Sequence, residues 1–183
     1  MGMRIIVHYK EYWPFNKLKR IRQIPPLTFD LSMVGFFDGA ASNGNGGCGF
    51  ILHINPSHSY CGWTGLNCCT NNLAEVTAVW ALLYWAHSIH VKDLKILGDS
   101  LLTIGWLQGN SLIHAPNLTH RCTRIKEMIR LFDHISFHHV YREHNEMADK
   151  YSKKGIGCPE GLLQIEEYMD GNIIGCSSHR IFG

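Results

Sequence analysis

Apolar residues along the middle of the chain follow two different periods. Short apolar runs bounded by glycine, asparagine or proline are typical of strands, and they predict strands at residues 32–38, 48–54, 60–66, 94–97 and 135–142. Apolar residues spaced three and four apart are typical of helices, and they predict helices at residues 71–87, 100–108, 117–132 and 145–154. The predicted order along the chain is β-β-β-α-β-α-α-β-α.

This order of elements determines the predicted fold class. The first three strands are joined by short turns, including the glycine-rich segment at residues 41–47, so they form an antiparallel meander. The last two strands alternate with helices, which is typical of parallel strands in a layered fold. The sequence therefore predicts an α/β domain at residues 32–157. Its mixed five-stranded sheet has three antiparallel strands followed by two parallel ones, and helices flank it.

Two extensions flank this domain. Residues 1–31 contain Trp13-Pro14, Pro25-Pro26 and a basic run at residues 17–22, and we interpret them as a leader or tether. A solvated linker is the favoured interpretation of the basic run, and nucleic-acid binding or a nuclear address is the alternative. Residues 158–183 show no clear periodicity, and we expect them to form a loosely packed tail.

Composition argues against several classes of protein. The longest apolar stretch, at residues 73–86, is interrupted by Glu75 and Thr77, so it is too short and too polar to span a membrane. The seven cysteines include no CxxC pair, and the twelve histidines lack cysteines at ligand spacing, which argues against a zinc site. We expect reduced cysteines in an intracellular protein of the nucleus or cytoplasm. We also expect a monomer.

Four acidic residues lie where their carboxylates can converge on one metal site: Asp38, Glu75, Asp99 and Asp149. Asp38 and Asp99 each follow a short apolar run at a predicted strand end, where open α/β sheets place their ligand sites. Glu75 and Asp149 lie early in predicted helices. Hard divalent cations such as Mg2+ prefer oxygen ligands, and four carboxylates crowded together without a cation would repel one another. The sequence therefore predicts a metal site suited to phosphate chemistry.

Four motifs surround these carboxylates, and they occur in the order Phe37-Asp38-Gly39-Ala40, Thr70-Asn71-Asn72-Leu73-Ala74-Glu75, Gly98-Asp99-Ser100 and His144-Asn145-Glu146-Met147-Ala148-Asp149. Each motif is weak alone, but together they resemble type 1 ribonuclease H. The pattern is most similar to the ribonuclease H domain of plant LINE-type retroelements and related reverse-transcriptase-like proteins. The resemblance covers about residues 34–157, roughly two-thirds of the chain.

The resemblance implies an endonuclease that cleaves the RNA strand of an RNA–DNA hybrid and leaves 3′-hydroxyl and 5′-phosphate ends. It assigns the four carboxylates as ligands of two Mg2+ ions, with Mn2+ as a substitute, and Asp38 as the ligand that bridges both. Two ions about 3.5–4 Å apart can activate a water and stabilise the leaving oxygen together. A reverse transcriptase domain or partner is also implied.

Selection of RNA over DNA requires contact with the 2′-hydroxyl group. The resemblance assigns this contact to residues after the first aspartate and before the glutamate: Gly39, Ala40, Ala41, Ser42, Asn43, Thr70, Asn71 and Asn72. Asparagine amides donate and accept hydrogen bonds, as the hydroxyl does. Asn71 and Asn72 can also act as helix caps, and Asn145 either orients a catalytic water or caps its helix.

Two features depart from the family pattern. The segment before Asn145 is too short for the loop that carries a mobile histidine in bacterial enzymes, so His144 and Arg142 are auxiliary candidates without a direct match. Residues 109–116 contain no lysine or arginine, so the basic handle is reduced and we expect weak, salt-sensitive binding by the isolated domain. Trp63 and Trp106 are candidates for contact with the DNA strand.

Two other functions fit part of this pattern. A non-catalytic nucleic-acid-binding module with a retained fold would be expected to have lost a carboxylate, and this chain retains all four. A 3′–5′ exonuclease with an acidic quartet would favour an acidic pair on the first strand, whereas Asp38 is followed by Gly39 and Ala40. The hybrid endonuclease is the favoured interpretation, with the binding module as the alternative.

Overall fold

The computed structural model describes residues 33–112 and 115–182, together with two short strands nearer the N-terminus, β1 (Ile5–Ile6) and β2 (Thr28–Phe29), which pair antiparallel. The rest of the predicted leader lies outside the described residues. In the part of the chain that the structure describes, no helix is long and apolar enough to cross a membrane.

One seven-stranded sheet organises the domain, and its strands are β3 (Met33–Ser42), β4 (Asn45–Asn55), β5 (His58–Leu66), β6 (Asp93–Gly98), β7 (His134–His139), β8 (Leu162–Met169) and β9 (Asn172–Arg180). Their order across the sheet is β7-β6-β3-β4-β5-β8-β9. β4 pairs antiparallel with both β3 and β5, whereas β6 runs parallel to both β3 and β7. The predicted α/β class, with a meander and two parallel strands, is confirmed.

The prediction of five strands is wrong, because β8 and β9 form a hairpin that extends the sheet beyond β5. Leu163 and Ile165 are buried at alternating positions, as expected for a strand with one face on the core. Asp170 and Gly171 form the two-residue turn with positive φ angles of 50° and 79°, which is typical of an Asp-Gly hairpin. The expected loosely packed tail is therefore part of the sheet.

The sequence predicts a turn across the whole glycine-rich segment, residues 41–47, but in the structure the turn is shorter. β3 and β4 continue through most of it and meet at Asn43 and Gly44, whose φ angles are 51° and 79°. Gly47 and Gly49 lie within β4, where a Cβ atom would overlap backbone atoms of helix α4 (Glu146–Gly155). These two glycines allow close packing of a helix on a sheet, and a glycine pattern alone does not distinguish that role from a turn.

Helices cover both faces of the sheet, and besides α4 they are α1 (Asn71–Ser88), α2 (Leu101–Leu107) and α3 (Pro116–Ile129). Successive residues of a strand point to opposite faces, so Phe37 packs in the main core with α1 and α3 while Phe36 packs against Ala148 of α4. Trp63 and Trp106 are buried, with exposed fractions of 8% and 7%. Their predicted contact with a DNA strand is therefore wrong.

Candidate active site

The two strand aspartates lie side by side on adjacent parallel strands. In the pairing of β3 with β6, Phe36 lies opposite Leu97, so Asp38 and Asp99 are each two residues beyond paired positions. Asp99 directly follows the last residue of β6, as predicted. Asp38 lies inside β3 rather than at its end, because β3 runs on to Ser42. The shared register places both carboxylates at the same height along the sheet.

Glu75 reaches the same place from α1. Gly39 allows this approach, because a Cβ atom there would overlap backbone atoms of Ala74 and Glu75. One carboxylate oxygen from each of Asp38, Glu75 and Asp99 lies within 4.8 Å of the other two. The structure therefore brings together three of the four acidic residues, and we call them the carboxylate cluster.

Asp149 lies in the first turn of α4, outside the carboxylate cluster. Its Oδ2 atom is 2.6 Å from Nζ of Lys153, one helical turn later, and the Asp149 side chain is 25% exposed. Its charge nonetheless acts on the cluster, since it contributes a small increase to the pKa of Asp38, after burial and the charge of Asp99. The assignment of Asp149 as a metal ligand stays a prediction.

Burial and mutual repulsion change the ionisation of the carboxylate cluster. Burial, followed by the negative charge of Asp99, raises the pKa of Asp38 to about 6. Burial, followed by the charge of Asp38, raises the pKa of Glu75 to about 9. In the absence of a cation, these shifts favour a neutral Glu75 carboxyl group that shares a hydrogen bond with Asp38. A nearby positive charge would favour the ionised form of all three carboxyl groups.

The donor set of the cluster suits a hard divalent cation. All three side chains offer carboxylate oxygens, the ligand type that Mg2+ prefers. Glu75 Oε2 is buried and has no hydrogen-bond partner among the described residues, although buried polar atoms are usually paired. A cation between the three carboxylates would satisfy this oxygen and offset their repulsion. The residues present therefore fit a divalent metal ion.

Two buried polar residues of the α4 segment contact the strand aspartates. Asn145, which is 1% exposed, donates from Nδ2 to the Phe37 carbonyl at 2.9 Å and to Asp99 Oδ1 at 3.3 Å. Asn145 is the N-cap residue of α4, as one alternative predicted, but its side chain makes no cap hydrogen bond in the described structure. Ser152 is fully buried and donates from Oγ to Asp38 Oδ2 at 3.1 Å. The sequence reasoning missed Ser152, whose one signal is its place on the inner face of α4.

The predicted substrate contacts lie on two segments at the edge of the cluster, the end of β3 and the start of α1: Gly39, Ala40, Ala41, Ser42 and Asn43, then Thr70, Asn71 and Asn72. The Ala41 amide donates to Asn71 Oδ1 at 3.1 Å and joins the two segments. Thr70 is the cap of α1, since its hydroxyl oxygen accepts from the Leu73 amide at 3.3 Å. Asn71 and Asn72 are exposed, and their contact with a 2′-hydroxyl stays a prediction.

Arg142 and His144 lie in a short 3-10 helix, Arg142–His144, that precedes α4. Arg142 Nε is 4.0 Å from Asp99 Oδ2, and its side chain is 83% exposed, so a positive charge lies beside the cluster and faces solvent. The His144 side chain is only 13% exposed, with Nε2 at 3.8 Å from Glu143 Oε1. The His144 side chain is therefore mostly buried, and the auxiliary roles of both residues stay predictions.

A separate cavity of about 370 Å³ lies between α4 and the sheet. Its walls include Ile51, Cys61, Met147 and Tyr151, and Asn145 also lines it. Within the described residues, no member of the carboxylate cluster contributes to its lining. Hydrolysis of a charged phosphodiester requires polar groups that stabilise developing charge, so this largely apolar cavity is not the candidate hydrolytic site.

Comparison with known proteins places the domain in a family. Residues 36–155 match the family described as reverse transcriptase-like. Ribonuclease HI of Halobacterium salinarum is 33% identical over 125 residues, which are 66% of this chain and 62% of that protein. The chain thus spans less than two-thirds of the length of that relative.

Solved structures share the fold. The RNase H1 structure from Halobacterium salinarum is 29% identical, with a TM-score of 0.62 over 68% of this chain and 96% of that one. The N-terminal RNase H domain of a Mycobacterium tuberculosis protein gives 21% identity and a TM-score of 0.62 over 68% of this chain and 93% of that one. The structure of LC11-RNase H1 in complex with an RNA/DNA hybrid is 20% identical, with a TM-score of 0.59 over 68% of this chain and 96% of that one. The chain therefore belongs to the reverse transcriptase-like family and carries a type 1 ribonuclease H domain.

Proposed function

We propose that this protein is a metal-dependent endonuclease that hydrolyses the RNA strand of RNA–DNA hybrids. The observation that carries this proposal is the convergence of Asp38, Glu75 and Asp99 within 4.8 Å, in a domain whose relatives are named ribonuclease H. A cluster of three carboxylates is costly in a folded protein unless a cation offsets the repulsion. A site of this kind is suited to chemistry on a phosphate ester.

In the proposed mechanism the three carboxylates of the cluster would hold divalent cations, two Mg2+ ions or Mn2+ in their place. When bound, such ions supply an activated water and positive charge for the leaving oxygen. Asp38, on the interior strand β3, would help to hold both ions. Asn145 keeps the Asp99 carboxylate in place by its hydrogen bond at 3.3 Å. Asp149, whose Oδ2 atom contacts Lys153, would be the fourth ligand.

The exposed residues beside the cluster are the proposed site of RNA recognition. Gly39, Ala40 and Ala41 are half-buried, whereas residues 42, 43, 71 and 72 are exposed. The Ala41–Asn71 hydrogen bond holds the two segments together. A hydroxyl on the minor-groove side of the RNA strand could donate to or accept from these groups. LC11-RNase H1, a structural neighbour, binds an RNA/DNA hybrid, which supports the same substrate class here.

A retroelement origin, most like that of plant LINE-type elements, is part of the proposal and is supported by the reverse transcriptase-like family match. The absence of lysine and arginine from residues 109–116 predicts weak binding by the isolated domain. A reverse transcriptase domain or partner, or the basic run at residues 17–22, would then supply affinity for the hybrid. We propose a monomer that acts in the nucleus or cytoplasm.

The direct test is cleavage of an end-labelled RNA–DNA hybrid with Mg2+ or Mn2+, beside single-stranded RNA, duplex RNA and duplex DNA. The expected result is internal cleavage of the hybrid alone, and its loss in Asp99→Asn. A folded protein that binds the hybrid but does not cut it with either metal would instead support the non-catalytic binding module.

A further inference from the structure

We propose that Ser152 is a positioning residue for Asp38, a role that rests on the proposed metal-dependent function. Its buried hydroxyl fixes the orientation of the Asp38 carboxylate, and divalent-cation binding by the cluster depends on that orientation. No motif in the sequence identifies Ser152, which lies three residues after Asp149.

The contact between Ser152 and Asp38 is buried, and the Ser152 hydroxyl has a second acceptor within reach. Ser152 Oγ lies 3.1 Å from Asp38 Oδ2 and 2.8 Å from the Asp149 carbonyl oxygen. The hydroxyl has one proton to donate to these two acceptors. A hydrogen bond to an ionised carboxylate is stronger than one to a neutral carbonyl, so the bond to Asp38 is favoured when Asp38 is charged. Ser152 is fully buried and Asp38 is 6% exposed, so little solvent competes for the bond.

The backbone around Ser152 is held rigidly against the sheet. Asp38 pairs with Gly49 across β3 and β4. A Cβ atom at Gly49 would overlap the Ser152 amide nitrogen, and one at Gly47 would overlap the Ser152 carbonyl oxygen. The two glycines thus let α4 lie directly on β4, at the position beside Asp38. The short Ser152 side chain extends from tightly packed backbone, so its hydroxyl has a fixed position beside the Asp38 carboxylate.

A fixed carboxylate matters because a metal site loses affinity when its ligands must be ordered on binding. Groups that hydrogen-bond to a ligand orient it, and their removal typically weakens metal binding about 10–100-fold. Asn145 holds Asp99 in the same manner, from the residue preceding α4. Ser152 on α4 would therefore hold Asp38, and Asn145 just before α4 would hold Asp99.

The test compares Ser152→Ala with Thr77→Val in the full chain. Thr77 is a matched control, since it is also fully buried but its hydroxyl donates to the Leu73 carbonyl within α1. Mn2+ binding is measured by calorimetry without nucleic acid. We expect about tenfold weaker binding in Ser152→Ala and wild-type binding in Thr77→Val. Hybrid cleavage by Ser152→Ala should need correspondingly more metal, with kcat close to wild type at saturation.

A second measurement needs neither metal nor substrate. Three-bond couplings from the backbone nitrogen and carbonyl carbon to Cγ of Asp38 report whether its side chain keeps one rotamer. We expect a single rotamer in the wild type, averaging in Ser152→Ala, and intermediate values in Ser152→Cys, whose thiol is a weaker donor. Equal couplings and equal Mn2+ affinity in Ser152→Ala and wild type would overturn the positioning role. A wild type that neither binds Mn2+ nor cleaves the hybrid would refute the proposed function, and the couplings would still decide whether Ser152 orients Asp38.

Discussion

Glu75 and Asp149 belong to helices on opposite faces of the same sheet, and their surroundings differ sharply. The α1 sequence contains no lysine, arginine or aspartate, and Glu75 is its one glutamate. The Glu75 Oε2 atom has no hydrogen-bond partner among the described residues. α4 instead carries three lysines in its sequence. One of them, Lys153, pairs with Asp149 at 2.6 Å.

The difference shows that two acidic residues beside one site are stabilised in different ways. Helix α1 has no lysine in its sequence. Its Glu75 lies with Asp38 and Asp99, and burial together with the charge of Asp38 raises the pKa of Glu75 to about 9. Asp149 is compensated by Lys153 and lies outside the cluster. A divalent cation would provide for Glu75 the positive charge that Lys153 provides for Asp149. The four acidic residues should therefore differ in how strongly activity depends on them.

The largest expected effect is that of Asp38→Asn. It removes a charged ligand from the centre of the cluster, so we expect hybrid cleavage to fall on the order of a thousandfold. Stability should not fall, since a buried carboxylate with a raised pKa is replaced by a neutral amide. Cleavage rates and circular dichroism measure the two effects. Asp170→Asn, at the β8–β9 turn, is a matched control and should behave as wild type. Near-normal cleavage by Asp38→Asn would remove Asp38 from the site.

A smaller loss is expected for Asp149→Asn. Because its carboxylate lies outside the cluster and pairs with Lys153, we expect cleavage to fall about 10–100-fold, measured at several Mg2+ concentrations. If Asp149→Asn proves as damaging as Asp38→Asn, the contrast between the two helices does not persist once metal and substrate bind.

Glu75→Gln should change the pH dependence of stability. The pKa of Glu75 is raised from its ordinary value of 4.5 to about 9, so the folded state favours the protonated form. This stabilisation is fully present below pH 4.5 and is lost as the pH rises toward about 9. In the absence of metal, the free energy of unfolding of Glu75→Gln should therefore exceed that of wild type at alkaline pH, by several kcal/mol, and the difference should shrink toward acidic pH. Urea unfolding in EDTA at acidic and alkaline pH measures it, and a difference that does not grow with pH would contradict the raised pKa.

The smallest expected effect is that of Asn72→Ala. This exposed residue is not the cap of α1, so stability should change little. We expect about a 2–5-fold weaker preference for hybrid over duplex DNA, because one group that can contact the 2′-hydroxyl is lost. Competition binding measures this preference, with Asn172→Ala in β9 as the control. Unchanged discrimination would remove Asn72 from the substrate site.

The sequence was sufficient for elements whose pattern is local. The meander, the parallel strands and the position of Asp99 directly after β6 follow from apolar runs and their order. The run before Asp38 predicted its strand but not that the strand continues to Ser42. The hairpin of β8 and β9 also had a local signal, the Asp170-Gly171 pair between alternating apolar residues. It was missed because only Leu163 and Ile165 mark its buried face strongly.

Contacts that depend on three-dimensional packing could not be predicted. Ser152 meets Asp38 only because Gly47 and Gly49 let α4 lie on β4, and the sequence pattern placed Gly47 in a turn. The sequence makes Trp63 a candidate for contact with DNA, but in the structure Trp63 stacks on Tyr151, with their ring centroids 5.6 Å apart. Aromatic and glycine residues serve packing and function alike, so their role becomes clear only once their neighbours are known.

Anomalous diffraction from a crystal soaked in Mn2+ would test the central claim, that the carboxylate cluster is a divalent-metal centre. The account predicts a manganese peak between Asp38, Glu75 and Asp99, at about 2 Å from their oxygens, and its loss in Asp38→Asn. The absence of a peak there at saturating Mn2+, in a protein that still cleaves the hybrid with Mn2+, would contradict the account.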